Sequence, residues 1–93
     1  MRTYELLFIV DGDYTDEQKD ATVEKVKALI EKENGVVSTV DKWGMRRLAY
    51  PINYKNEGYY CLMMFEAGVN APAALDAILN ITDGVVRHMI VNK

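Results

Sequence analysis

Cysteine, histidine and proline are scarce in this 93-residue chain, and each scarcity excludes something. The single cysteine, Cys61, rules out an internal disulfide, and its place in an apolar run suits a buried thiol in a reducing compartment. The single histidine, His88, stands far along the chain from that cysteine, so no metal-ligand cluster is spelled and no cofactor is expected. No stretch approaches the roughly 20 apolar residues of a membrane-crossing helix. The opening "MRTYELLFIVDGD" has one basic residue, then acids, and no small-residue cleavage site. It argues against a signal peptide and makes the cytoplasm the expected compartment. A basic surplus is missing too: the formal net charge is −3 and the pI about 5.0, which argues against generic nucleic-acid binding.

What is present is ordinary in amount and uneven in place. With 49% apolar and 27% charged residues the chain suits a soluble globular protein, and its length suffices for one small domain, 1–93, around one hydrophobic core. Residues 11–34 hold eight acids and four bases, whereas 42–55 hold Lys42, Arg46, Arg47 and Lys55 and no acid. The chain is therefore acidic on one element and locally basic on another.

"TYELLFIV" (3–10) is a short apolar run ended by "DGD" and predicts a strand. Thr15 and Gln18 form a capping box, with Asp16 and Glu17 suited to a helix N-terminus. Ala21, Val23, Val26, Leu29 and Ile30 then fall at helical spacing until Asn34-Gly35 stops the helix. "VVSTVDKWGMRRLAY" (36–50) predicts a strand long enough to project as one arm of a ribbon, with a bulge or bend at Gly44 and an end at Pro51. "NYKNEG" is read as the turn and "YYCLMMFE" (59–66) as the third strand. Asn70 and Pro72 open a second helix with Leu75, Ile78 and Leu79 inward, "TDG" closes it, and "VVRHMIV" (85–91) is the last strand. The order β-α-β-β-α-β is the α+β, ferredoxin-like plan, a four-stranded antiparallel sheet with both helices on one face.

That plan leaves the other face of the sheet uncovered, and the alternation there stays apolar. With Tyr4, Leu6, Phe8 and Val10 toward the helices, Glu5, Leu7 and Ile9 point outward. With Tyr59, Cys61, Met63 and Phe65 inward, Tyr60, Leu62 and Met64 point outward. On the last strand the outward set is either Arg87, Met89 and Val91 or Val86, His88 and Ile90. A solvated antiparallel face should be polar, so this one fits a macromolecular docking surface, with a homodimer or a rolled sheet as the alternative. Arg2, Arg46, Arg47 and Arg87 lie near its rim, which suits joint contact with protein and RNA. Placing Leu48 and Tyr50 toward the helices sends Arg46 to that side and Arg47 to the open face with Met45 and Ala49. Arginine's planar fork fits phosphate, but charging an edge strand against aggregation explains the pair equally well.

The runs "RRLAYPI" and "EGYY", the start "MRTYELLFIV" and the ending "VVRHMIV" together resemble the bacterial small-subunit ribosomal protein number six family, over essentially the whole chain. His88 stands where an aliphatic residue is more usual in that family. The resemblance implies the ferredoxin-like fold, no catalysis, and binding to the central domain of small-subunit ribosomal RNA together with small-subunit ribosomal protein number eighteen. It implies RNA contacts at Arg2, Arg46, Arg47 and Arg87, with Lys42 and Lys93 weaker. For the protein partner it implies Leu7, Ile9, Tyr60, Leu62, Met64 and Met89. Many members carry a further C-terminal tail; the sequence here stops at Lys93, so no tail contact is carried over.

Other functions known on this fold fit less well. An RNA-recognition motif wants a basic residue and two stacking rings where "EGYYC" offers an acid and a cysteine. Acylphosphatase chemistry wants an anion cradle after the first strand, but "DGDYTDE" is carboxylate-rich and lacks an arginine. Asp11 and Asp13 are accounted for by the turn and the helix dipole rather than by a cation. A small regulatory ligand-binding or homodimeric ferredoxin-like module is the remaining alternative; the family resemblance implies neither a small-molecule substrate nor a membrane.

Overall fold

The computed structural model describes residues 1–52 and 55–93, with side chains outside 49–56. Elements follow in the order β1 (Arg2–Asp11), α1 (Asp16–Lys32), β2 (Val36–Ile52), β3 (Lys55–Ala67), α2 (Ala71–Asn80) and β4 (Val85–Asn92). The sheet order is β2-β3-β1-β4, antiparallel at every junction, which is the ferredoxin-like arrangement the sequence implied.

The first helix begins where the local chemistry places it. Thr15 Oγ1 accepts from the Gln18 backbone N–H at 3.2 Å, and Gln18 Oε1 accepts from the Thr15 N–H at 2.9 Å. It ends with Asn34 in the left-handed region at φ 63° and the Gly35 N–H donating to the Ile30 carbonyl at 2.9 Å. The second helix starts differently from the expectation. Asn70 stands at the N-cap position in a right-handed helical conformation, and its side chain makes no capping bond. Pro72 in the first turn, which needs no N–H there, is the start signal that acts.

Between the helices and the sheet lies one apolar layer. Tyr4, Leu6, Phe8 and Val10 of β1 and Cys61, Met63 and Phe65 of β3 are buried against Val23, Val26 and Ile30 of α1 and Leu75 and Leu79 of α2. The inward sets read from alternation are therefore the observed ones, with Tyr59 partly buried at their margin and Ile78 only half-buried. Among the described residues, no buried side-chain polar atom lacks a partner.

The ribbon of β2 and β3 is longer than expected. β2 runs through Pro51 to Ile52 instead of stopping there, and β3 begins at Lys55, inside the segment read as a turn. Proline is tolerated because β2 is an edge strand, so one side of its backbone faces no neighbour. The remaining turn residues, 53 and 54, lie outside the described residues. Asp11, the end of β1, pairs with Gly58, and Gly58 pairs with Arg46, so the described residues 47–52 and 55–57 extend past the end of β1.

Cys61 is fully buried in the apolar layer. Burial pushes its thiol up from an ordinary 9.0 to about 11, Lys42 pulling weakly the other way. The neutral thiol is the form the fold favours, so its contribution to stability is complete below pH 9 and is lost as pH rises through 11. In native protein at pH 8 a thiol-specific reagent is expected to leave Cys61 unlabelled, with prompt labelling after denaturation. Cys61→Ala should also flatten the fall in melting temperature between pH 9 and 11. Rapid labelling of the folded protein would contradict this placement.

Candidate nucleic-acid and partner interface

The open face of the sheet is assembled in rows. Leu62 of β3, Leu7 of β1 and Met89 of β4 stand side by side, and the next row is Tyr60, Ile9 and Arg87. On the other flank Met64, Glu5 and Val91 form a third row. The structure thus selects Arg87, Met89 and Val91 as the outward set of β4, and all six residues expected to form the partner face share it. Met89 is 56% exposed and Val91 43% exposed, whereas Ile9 is nearly covered. The Ile9 side chain packs directly over Gly58, into space that a Cβ there would fill, and Leu48 Cδ2 borders the same spot. Leu7, Ile9, Tyr60, Arg87 and Met89 line a shallow groove of about 260 Å³ along this face.

His88 points the other way, toward α2. Its ring Nε2 lies 2.7 Å from Asp76 Oδ1, which explains how a polar ring is accommodated where the family resemblance implied an aliphatic residue.

The basic residues do not form one rim. Lys42 faces α1 and sits 3.1 Å from Asp20 Oδ1, and the hydrogen bond to that carboxylate holds its pKa above the ordinary lysine value. Lys93 reaches Glu5 Oε2 at 3.4 Å. Arg2 pairs with Ala67 on the side of Tyr4 and Leu6, seven positions along β1 from Ile9, on the order of 23 Å away. Arg87 on β4 and Arg46 and Arg47 on β2 lie toward the other end of the sheet, on its two opposite edges.

Arg46 and Arg47 are both exposed, but on exchanged faces relative to the expectation. The register sets Arg46 opposite Gly58, on the side of Tyr60, and Arg47 opposite Glu57, on the side of Tyr59. A register shift between Lys42 and Gly44 is the cause: β2 carries an extra residue there, with Gly44 at φ +86°, and alternation reverses downstream. Leu48 therefore packs on the open face and Met45 opposite Tyr59. Because β2 is the edge, Arg47 still borders the groove of about 490 Å³ that Trp43, Arg46 and Tyr60 line on the open side.

Trp43 is the residue that sequence reasoning missed. Its indole lies parallel to the Tyr60 ring, 5° between planes and 6.3 Å between centroids, and its Nε1–H donates to Asp41 Oδ2 at 3.2 Å. The signal was the lone tryptophan beside the bulge glycine, but its stacking partner lies on the neighbouring strand and appears only with the register.

The sequence model of the family described as "Ribosomal protein S6" matches residues 3–92. The chain is 53% identical over 92 residues to small ribosomal subunit protein bS6 of Clostridium novyi, covering 99% of this chain and 97% of that one. It is 47% identical over 93 residues to the bS6 protein of Clostridium beijerinckii, covering 100% and 98%. The crystal structure of 30S ribosomal protein S6 from Thermotoga maritima superposes with a TM-score of 0.92 at 30% identity, covering 99% of this chain and 87% of that one. A sheet with one apolar open face, a basic end and these full-length likenesses lead to one assignment: the chain belongs to the ribosomal protein S6 family of the small ribosomal subunit.

Proposed function

We propose that this protein is a structural component of the small ribosomal subunit that binds the central domain of its ribosomal RNA as a pair with small-subunit ribosomal protein number eighteen. The observation that carries the reading is the open sheet face, apolar in its centre at Leu7, Leu62 and Met89, with Arg46 and Arg87 on it toward one end and Arg47 at the strand edge beside it. The apolar rows receive the protein partner, since a contiguous apolar face on a soluble chain marks an interaction site. Met64 and Met89 suit it because a flexible thioether adapts to the surface it meets. The arginine end meets phosphate. Lys42 and Lys93 already hold carboxylates and contribute less, and Arg2 contacts RNA only if the RNA wraps to the far end of β1. No catalytic step is assigned to the protein.

With a net charge of −3, the lone protein should bind ribosomal RNA poorly, and the partner should raise the affinity strongly, with a salt slope set mainly by the partner's charges. Titration of a central-domain RNA fragment with the protein alone, the partner alone and the pair measures this directly. Tight, salt-sensitive binding by the lone protein would overturn the division of labour. A pull-down from native lysate that recovers the chain free of small-subunit RNA and protein would overturn the assignment itself.

A further inference from the structure

We propose that the Trp43–Tyr60 ring pair is a stacking platform for one unpaired nucleobase of the bound RNA, with Arg46 and Arg47 taking the phosphates that flank it. The inference rests on the RNA reading above and specifies how part of that RNA is held. Trp43 is 40% exposed on an edge strand, an unusual position for a large aromatic ring. Its indole lies parallel to the Tyr60 ring in an offset pair and its Nε1–H is held by Asp41, so the ring's orientation is set while its π-face stays accessible. The two arginines border the same groove, and from residue 42 to 55 the chain has no acid.

A groove with a preset aromatic stack on one wall and guanidinium groups on another matches single-stranded nucleic acid, whose bases stack on rings while its backbone meets cations. An apolar protein side chain would use the ring but leave two arginines without a role. A helical RNA segment would use the arginines but leave the ring idle. The groove is open to solvent, so a single base with its sugar can reach the ring from outside. Alternation from inward-facing Lys42 puts Trp43 on the open face, and the bulge at Gly44 then sends Arg46 to the same side.

The test uses the protein paired with its ribosomal partner and a central-domain RNA fragment. Trp43→Ala is expected to weaken RNA binding roughly ten-fold to a hundred-fold, the range one base–aromatic stack supplies, while Trp43→Phe retains most of the affinity. Ultraviolet crosslinking of the wild-type complex followed by mass spectrometry should place a nucleotide on the peptide that carries Trp43 or on the one that carries Tyr60. Unchanged affinity in Trp43→Ala, or crosslinks confined to other peptides, would overturn the platform and leave the broader RNA reading standing. Loss of partner binding by Trp43→Ala without RNA, at an unchanged melting temperature, would make the groove a protein contact and overturn it as well. Failure of the wild-type pair to bind the fragment at all would remove the RNA reading and the platform together.

Discussion

Phe8→Ala is expected to destabilise the protein by about 3–5 kcal/mol, the cost of removing a fully buried aromatic side chain and leaving a cavity. Phe8 is in the middle of β1, a central strand, and belongs to the cluster that joins both helices to the sheet, so the surroundings have little freedom to collapse into the space. Small domains of this kind hold about 5–15 kcal/mol in total, so the variant should lose a large fraction of its stability. Its neighbour Leu7 provides the control. Leu7→Ala alters the opposite face, where burial is partial, and should leave the melting temperature far closer to wild type while weakening the protein partner's binding. Chemical denaturation of the two variants, with a partner titration of Leu7→Ala, checks the pair of outcomes. Equal destabilisation by both would mean that the two faces of the sheet are not the separate surfaces described above.

Replacing Arg46 and Arg47 together with glutamine is expected to weaken RNA binding by the protein pair roughly ten-fold to a hundred-fold, about 1.4 kcal/mol for each factor of ten. A charge-assisted contact to phosphate is worth about 1.5–3 kcal/mol when desolvated and about 1 kcal/mol or less when exposed to water and salt. The register now divides that loss. Arg46 shares the open face with Tyr60 and should account for most of it, while Arg47 lies opposite Glu57 and reaches the groove only over the strand edge. The melting temperature should barely move in either single variant, since both side chains are exposed. RNA titrations of the two single variants and the double, beside melting curves, resolve the shares. An unchanged RNA affinity in the double variant would return these residues to the lesser task of guarding an edge strand.

The inner face of the sheet was legible because two signals agreed along β1 and β3: alternation of period two, and a helix stripe of matching chemistry to cover it. The capping box at Thr15 and Gln18 was legible for a simpler reason, since both its hydrogen bonds close within three residues. What escaped reading depends on distance along the chain. Lys42 and Asp20 are brought together only by packing β2 against α1, so the exposed ion pair between them could not be read from the chain order. The Trp43–Tyr60 stack requires the register of β2 on β3. Asn70 carried the right residue type for a cap, but its backbone enters the helix already wound, so the side chain has no cap to make. The glycine at 44 announced a bulge, yet its effect on every later side chain could not be assigned without knowing which residue was the extra one.

That extra residue acts as a frameshift in the two-letter alphabet of a strand, in and out. Upstream of it Thr39 and Asp41 are the open-face letters of β2; downstream the letters are Arg46 and Leu48. Comparing this ribbon with a relative's therefore requires more than matching the adjacent arginines. A gap of one position between Lys42 and Met45, which would pass as neutral in a loop, exchanges the residue offered to the open face for the one turned from it. Two chains can spell the same arginine pair and present opposite members of it.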